Sequence, residues 1–169
     1  MTLSMYQASV PVFLRAFDNL SAILDKAAAF AAAKKIDQSV LINARLAPDM
    51  FALARQVQIV SDTTKGCVAR LAGVTIPSFA DTETTFADLK ERLTKTAAFI
   101  KSVTAAQIDG SEGKSITMKL GPTKEVVFAG QDYLLTFVLP NLYFHVTTSY
   151  AILRHNGVEI GKNDYLGAF

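Results

Sequence analysis

The run from Tyr133 to Leu153, YLLTFVLPNLYFHVTTSYAIL, holds 21 residues without one Asp, Glu, Lys or Arg. Asp132 stands in front of it and Arg154 behind. Roughly 20 apolar residues span a bilayer, so the run raises the question of a membrane. Its middle answers that question. Pro140, Asn141, His145, Thr147, Thr148 and Ser149 fall there, where hydrocarbon would leave their polar groups without partners. The expectation is the most buried helix of a soluble domain, beginning near Gln131 and kinked or divided at Pro140. Asn141 and His145 are four apart and share a helix face, with Thr148 beside them. A histidine in the least charged part of a chain has either a structural partner or a function.

The remaining apolar residues also recur at helical spacing. Tyr6, Val10, Phe13, Phe17, Leu20, Leu24, Ala27 and Ala31 alternate steps of four and three, and Pro11 should kink or delay the start of that helix. Asp37 reads as the cap of a short helical turn. Pro48 and Asp49 open a second long helix, with its seam at Met50, Leu53, Val57, Val60, Thr64, Cys67 and Leu71 and its end at Gly73. A third follows from Thr85, where Thr85 and Asp88 resemble a capping box. Phe86, Leu89, Leu93, Thr96, Ile100 and Val103 form its seam, and Asp88, Lys90, Glu91, Arg92 and Lys95 its solvated face.

Two short β-branched runs, SITMKL and KEVVFA, flank Gly121 and Pro122 and read as a hairpin. The tract GSEGKS before them ends like a phosphate-binding loop, but the first glycine of that motif would fall on Ile108. No strand-to-helix context follows it either, so the motif is rejected. The closing run passes Arg154, His155 and Gly157, which suit a helix C-terminus, and the tail VEIGKNDYLGAF should pack back over the body. The expected architecture is a single all-α domain over 1–169, a four-helix bundle with one long crossover carrying a small β-hairpin.

Composition excludes several partners. The formal charge of +2 is small and evenly spread, and aromatics are not interleaved with Lys and Arg, which argues against nucleic acid. The single cysteine, Cys67, cannot form an intrachain disulfide and fits a reducing compartment. It lies on an apolar seam, which makes it a core residue rather than a nucleophile. The N-terminus lacks the basic start and cleavage site of a signal peptide, and the expected address is the cytoplasm.

Three runs carry a resemblance: RLAPDMFALARQVQIVSD from Arg45, DTETTFADLKERLTKTAAFIKS from Asp81, and LPNLYFHVTTSYAILRHNGVEIGKNDYLG from Leu139. Together they are similar to an uncharacterised bacterial family of the DinB/YfiT-like superfamily of four-helix bundles. The resemblance implies a bundle with a long crossover, frequently a homodimer. It also implies a nickel or zinc site in many members, from one histidine on the second helix and a His-x-x-x-His pair on the last. Known activities in the superfamily include thiol-dependent transferases and isomerases. Counted back from Gly157, His145 matches the second histidine of that pair, and Asn141 stands where the first would be. The second helix has no histidine, and Gln56 is the nearest candidate. Amide oxygens are poor ligands for a metal that prefers imidazole or thiolate, so no metal and no cofactor are expected.

Two functional classes follow. One is a small-molecule binding protein or enzyme with an inter-helix pocket lined by His145, Asn141, Thr148 and Gln56, in which His145 is the catalytic acid, base or ligand. The other is a non-catalytic bundle acting through a dimer surface. Beside both stands the plain alternative that His145 is a hydrogen-bonded core imidazole.

Overall fold

The computed structural model describes residues 3–121 and 123–168, so Pro122 of the expected turn lies outside the described residues, as does Phe169 of the tail. Helix α1 spans Met5–Lys34. Ser4 starts it by accepting from the Gln7 backbone N–H, while Gln7 Oε1 accepts from the Ser4 N–H, both at 3.2 Å. Pro11 lies inside this helix and does not delay it. The seam from Val10 to Ala31 is buried as its spacing predicts. Lys35 ends the helix at φ 55°, the left-handed cap that is usually a glycine. Asp37 then caps α2, Gln38–Ile42, by accepting from the Ser39 N–H at 2.8 Å.

Helix α3, Leu53–Ala72, starts later than Pro48. The residues before it are held in turns of their own: the Met50 N–H donates to Ala47, the Leu53 N–H to Ala44, and Arg45 Nη1 reaches the Met50 carbonyl at 2.6 Å. These bonds occupy the groups that an earlier helical turn would need, and Met50 is only half-buried. Gly73 closes α3 at φ 74°, as expected. Helix α4, Phe86–Lys101, begins at the Thr85–Asp88 capping box, and its six seam positions, through Val103 just beyond its end, are buried.

The crossover from Ser102 to Ala129 holds α5, Ala105–Ile108, and the hairpin of β1, Ser115–Leu120, with β2, Lys124–Ala129. The strands are antiparallel, with Ile116 opposite Phe128 and Met118 opposite Val126. Those four side chains face inward, while Thr117 and Val127 face water.

The uncharged run forms one continuous helical path of three parts: α6, Gly130–Asp132, a π-helical stretch Tyr133–Val138, and α7, Leu139–His155. Pro140 therefore divides the helix without ending it. Proline has no N–H to give and collides with the preceding turn, and the wider π turn places Pro140 in the first turn of α7, where neither matters. Tyr133 and Phe137 stack on each other and both meet the hairpin's Phe128 at a tilt, with ring centroids 5.8 to 6.0 Å apart.

This run is not the most buried helix. Seven of the 17 residues of α7 are buried, against 13 of the 20 in α3, and Leu135, Tyr143 and Phe144 are exposed. The physical reason is position. Helix α3 packs against α4 on one side and α7 on the other, whereas α7 packs against α3 and α1 and turns its outer face to solvent. Helix α1 packs in turn against α4 and α7, so these four helices share one core. Among the described residues no helix is long and apolar enough to cross a membrane. After Gly157, at φ 92°, the tail buries Val158 and Ile160 and lays α8, Lys162–Leu166, along α1.

Candidate functional site

Helices α3 and α7 bring two of the four expected site residues into contact. His145 Nδ1 lies 2.6 Å from Gln56 Oε1, and Gln56 Nε2 donates to the Phe51 carbonyl at 2.9 Å. Because the amide nitrogen is committed to Phe51, the oxygen faces the imidazole, and an oxygen can only accept. Nδ1 therefore carries the proton, and the Nε2 lone pair is left as the reactive atom of the ring. Burial, and to a lesser degree the positive charge of Arg55, hold the His145 pKa below its ordinary value. At neutral pH the ring is thus an uncharged base with a fixed tautomer. It is 8 % exposed, and Phe144 packs its ring edge-on against it at 5.1 Å.

The other two residues turn elsewhere. Asn141 Nδ2 donates to Thr63 Oγ1 at 2.8 Å, about two turns along α3 from Gln56. Thr148 Oγ1 bonds back to the Phe144 carbonyl of its own helix, and Ser149 does the same to His145. Thr148 also borders a shallow groove with Leu46, Pro140 and Phe144 on the outer surface of α7.

A nickel or zinc ion does not fit this donor set. Gln56 Oε1 is taken by His145, the Asn141 amide nitrogen faces Thr63, and among the described residues no group of three or more His, Cys, Asp or Glu converges. Asp62, considered as a carboxylate donor, pairs with Arg92 and Lys65 instead. Cys67 is buried, and desolvation pushes its thiol far above the range in which a thiolate forms. His155 is exposed in the last turn of α7, away from the pair of His145 and Gln56.

The largest correction concerns Arg92. Its position on α4 reads as solvated, yet it is 2 % exposed. The loop between α3 and α4 folds over it. Arg92 meets Asp62 at 2.9 Å, Asp81 at 2.9 Å and Glu83 at 2.8 Å, and donates to the Ala80 carbonyl. Lys65 Nζ pairs with Asp62 and sits 4.4 Å above the Phe79 ring, while Arg55 bonds Asp81 and Gln58 bonds Glu83. Burial would raise the Glu83 pKa, but its hydrogen bonds to Arg92 and Gln58 outweigh that and lower it. The sequence signal for this network was the acidic loop ADTET facing basic residues on both flanking helices.

The chain matches the family model described as "Domain of unknown function (DUF1993)" over residues 5–166. A crystal structure of a DinB family member from Shewanella denitrificans is 44 % identical and superposes with a TM-score of 0.88, over 97 % of this chain and 92 % of that one. No curated protein matches.

Proposed function

The chain belongs to the DUF1993 family, and from that premise we propose that it is a DinB-like four-helix bundle, with the hairpin on its one long crossover, that binds a small protic molecule at His145 without a metal. The observation that carries this reading is the Gln56 amide held between the Phe51 carbonyl and His145 Nδ1. A buried histidine takes a hydrogen-bond partner in any case, and what supports a binding role is that among the described residues only one ring nitrogen is given one. Here the fixed tautomer directs a neutral lone pair at Nε2, suited to accept a hydrogen bond or a proton from a hydroxyl, thiol or acid. Asn141 and Thr148 would shape the surrounding seam rather than touch the ligand. His145 would be the catalytic base if the bound molecule reacts, in the manner of a transferase or isomerase.

Long-range proton–nitrogen NMR of the imidazole tests the reading directly. At pH 7 the Nε2 resonance should be that of an unprotonated nitrogen, and titration with acetic acid, phenol or 2-mercaptoethanol should shift it. A protonated Nε2 in the free protein, or no response to any of the three, would remove the proposal.

A second reading rests on the outer surface of α7. Phe144 is 56 % exposed and Leu46 40 %, on a groove that no charged residue among those described lines. Such a surface suits pairing with a second copy of the chain. Sedimentation of wild type beside Phe144→Asp tests it: a dimer that becomes a monomer supports the pairing, and a wild-type monomer ends it.

A further inference from the structure

The tail is fastened to α1 along its length. Arg15 Nη2 donates to the Leu166 and Ala168 carbonyls at 2.8 and 3.0 Å, and Asn19 Nδ2 to the Tyr165 carbonyl at 3.0 Å. Lys26 pairs with Asp164 at 2.6 Å. Gly167 is at φ 73°, and a Cβ there would fall 2.1 Å from Asn19 Oδ1, so the tail closes against α1 as tightly as backbone allows. None of the five residues of α8 is fully buried, however. Val158 and Ile160 anchor the start of the tail in the core, whereas α8 is held by polar contacts at its edges and leaves space beneath it.

That space is a cavity of about 260 Å³ between α1, α7 and α8. Its walls are Val12 and Ala16 of α1, Val146 of α7 and Leu166 of α8. Among the described residues no carboxylate lines it. Arg15 and Asn19, which hold the carbonyls of the tail, and two phenols, Tyr143 and Tyr165, complete the lining; the Tyr165 hydroxyl sits beside Thr147, one turn along α7 from Tyr143. Tyr165 accepts a hydrogen bond from Thr147 Oγ1 at 3.0 Å, which leaves its own proton to donate. The Tyr143 hydroxyl has no hydrogen-bond partner among the described residues. The ring is only partly covered, and that partial burial with the neighbouring phenol raises its pKa, so it stays a donor at neutral pH.

A mostly apolar, half-open cleft with two phenolic donors in its wall, whose arginine and asparagine are engaged by the tail, has a definite complement. We propose that this cavity is a binding site for a small, mostly apolar carbonyl compound, whose oxygen accepts from Tyr143 and Tyr165 while its aryl or alkyl body lies among Val12, Ala16 and Val146. The size limits the ligand to something near a single ring with a short substituent, at the lower edge of usual small-molecule sites. The cavity is separate from His145, which faces α3 across the other side of α7.

The probe is acetophenone, compared with ethylbenzene, which has similar shape and no acceptor. Binding is read from the methyl NMR signals of Ala16 and Val146. In wild type acetophenone should bind about three- to tenfold more tightly than ethylbenzene, the range expected for a net hydrogen bond. Tyr143→Phe should erase most of that preference while leaving ethylbenzene binding as it was. Ala16→Leu should fill the chamber and weaken both probes about tenfold or more. His145→Ala should leave both unchanged, which keeps this site's fate distinct from that of the imidazole. Failure of acetophenone to move the Ala16 and Val146 signals, equal affinity for the two probes, or undiminished binding to Ala16→Leu would each overturn the assignment.

Discussion

Gln56 Oε1 lies 2.6 Å from Nδ1 of His145, across 89 residues of sequence and between two helices that bury most of their facing surfaces. The contact ties the only buried imidazole in the described chain to an amide that cannot rotate away, because its nitrogen is held by Phe51. The pair is unlike the ion pairs elsewhere in the molecule. It fixes the tautomer of the ring, while burial and the nearby charge of Arg55 favour the neutral form.

The first expectation concerns pH. The folded pKa of His145 is lowered from 6.5, so between that value and the folded one the unfolded chain binds more protons than the folded chain. Stability then rises with pH through this window. The contribution is complete above the unfolded value and is lost as pH falls toward and through the folded one. Urea midpoints should drop between about pH 7.5 and about pH 5.5 in wild type. His145→Gln should show a smaller drop over the same range.

Changing the partner should reverse that behaviour. Gln56→Glu places a carboxylate beside Nδ1, and an adjacent opposite charge raises a histidine pKa by about one to three units. NMR titration of the imidazole should find His145 shifted upward from its wild-type value. Acidification into the window should then stabilise the protein where it had destabilised it. An unshifted titration would mean that the two side chains are not in contact in solution.

Much of this arrangement was legible in the sequence, and the parts that were not share a cause. The seams of α1, α3 and α4 emerged from spacing because each of those helices buries a stripe, and a stripe leaves a period. The Thr85–Asp88 cap and the hairpin were visible because their chemistry is local. Gln56 was placed near His145 by resemblance alone, since no spacing rule relates residues on different helices. Arg92 was misread for the complementary reason. Its own helix position is consistent with solvent, and only the fold of a linker elsewhere in the chain buries it. The start of α3 was misplaced because Pro48 and Asp49 also suit a turn, and tertiary hydrogen bonds decided between the two. The exposed face of α7 was missed because an uncharged run says nothing about how many neighbours a helix has.

Arg92 should be among the costliest single truncations. Its guanidinium is buried against Asp62, Asp81 and Glu83; Asp62 and Asp81 still reach water, but removing the guanidinium strands the largely covered Glu83. Arg92→Met should lose about 3 kcal/mol in urea unfolding, with Arg92→Lys recovering only part of it, because an ammonium cannot reproduce the planar fork. The exposed pair of Lys95 with Glu91 on the same helix sets the contrast, and breaking it should cost about 0.5 kcal/mol or less.

Gly130 is the one glycine whose replacement meets backbone. A Cβ there would lie 2.0 Å from the Ser111 carbonyl oxygen, where the crossover docks against the start of α6. Relief would require moving the chain itself, so Gly130→Ala should destabilise by about 2 to 3 kcal/mol despite the better helix propensity of alanine. Gly66→Ala is the useful control, since its clash is with the tip of Arg70, which can swing away from Tyr133. That variant should be near neutral in thermal unfolding.

The last expectation separates an imidazole kept for binding from one kept for packing. Leu142 sits on the same helix, fully buried, and its truncation should cost about 3 kcal/mol through lost transfer energy and the cavity left behind. His145 is almost as buried, and if packing were its role the variant His145→Ala should cost as much, since Gln56 Oε1 would also lose its partner. A binding role gives a different balance. A residue retained for function commonly sacrifices stability, whereas the lowered pKa burdens only the charged ring, which is not the form present at pH 7. Water can replace the ring at Gln56 Oε1, because the site is not fully closed to solvent. His145→Ala should therefore cost no more than about half of what Leu142→Ala does, in parallel urea melts at pH 7. Equal losses would make His145 a core residue that happens to be polar, and the binding proposal at Nε2 would lose its support.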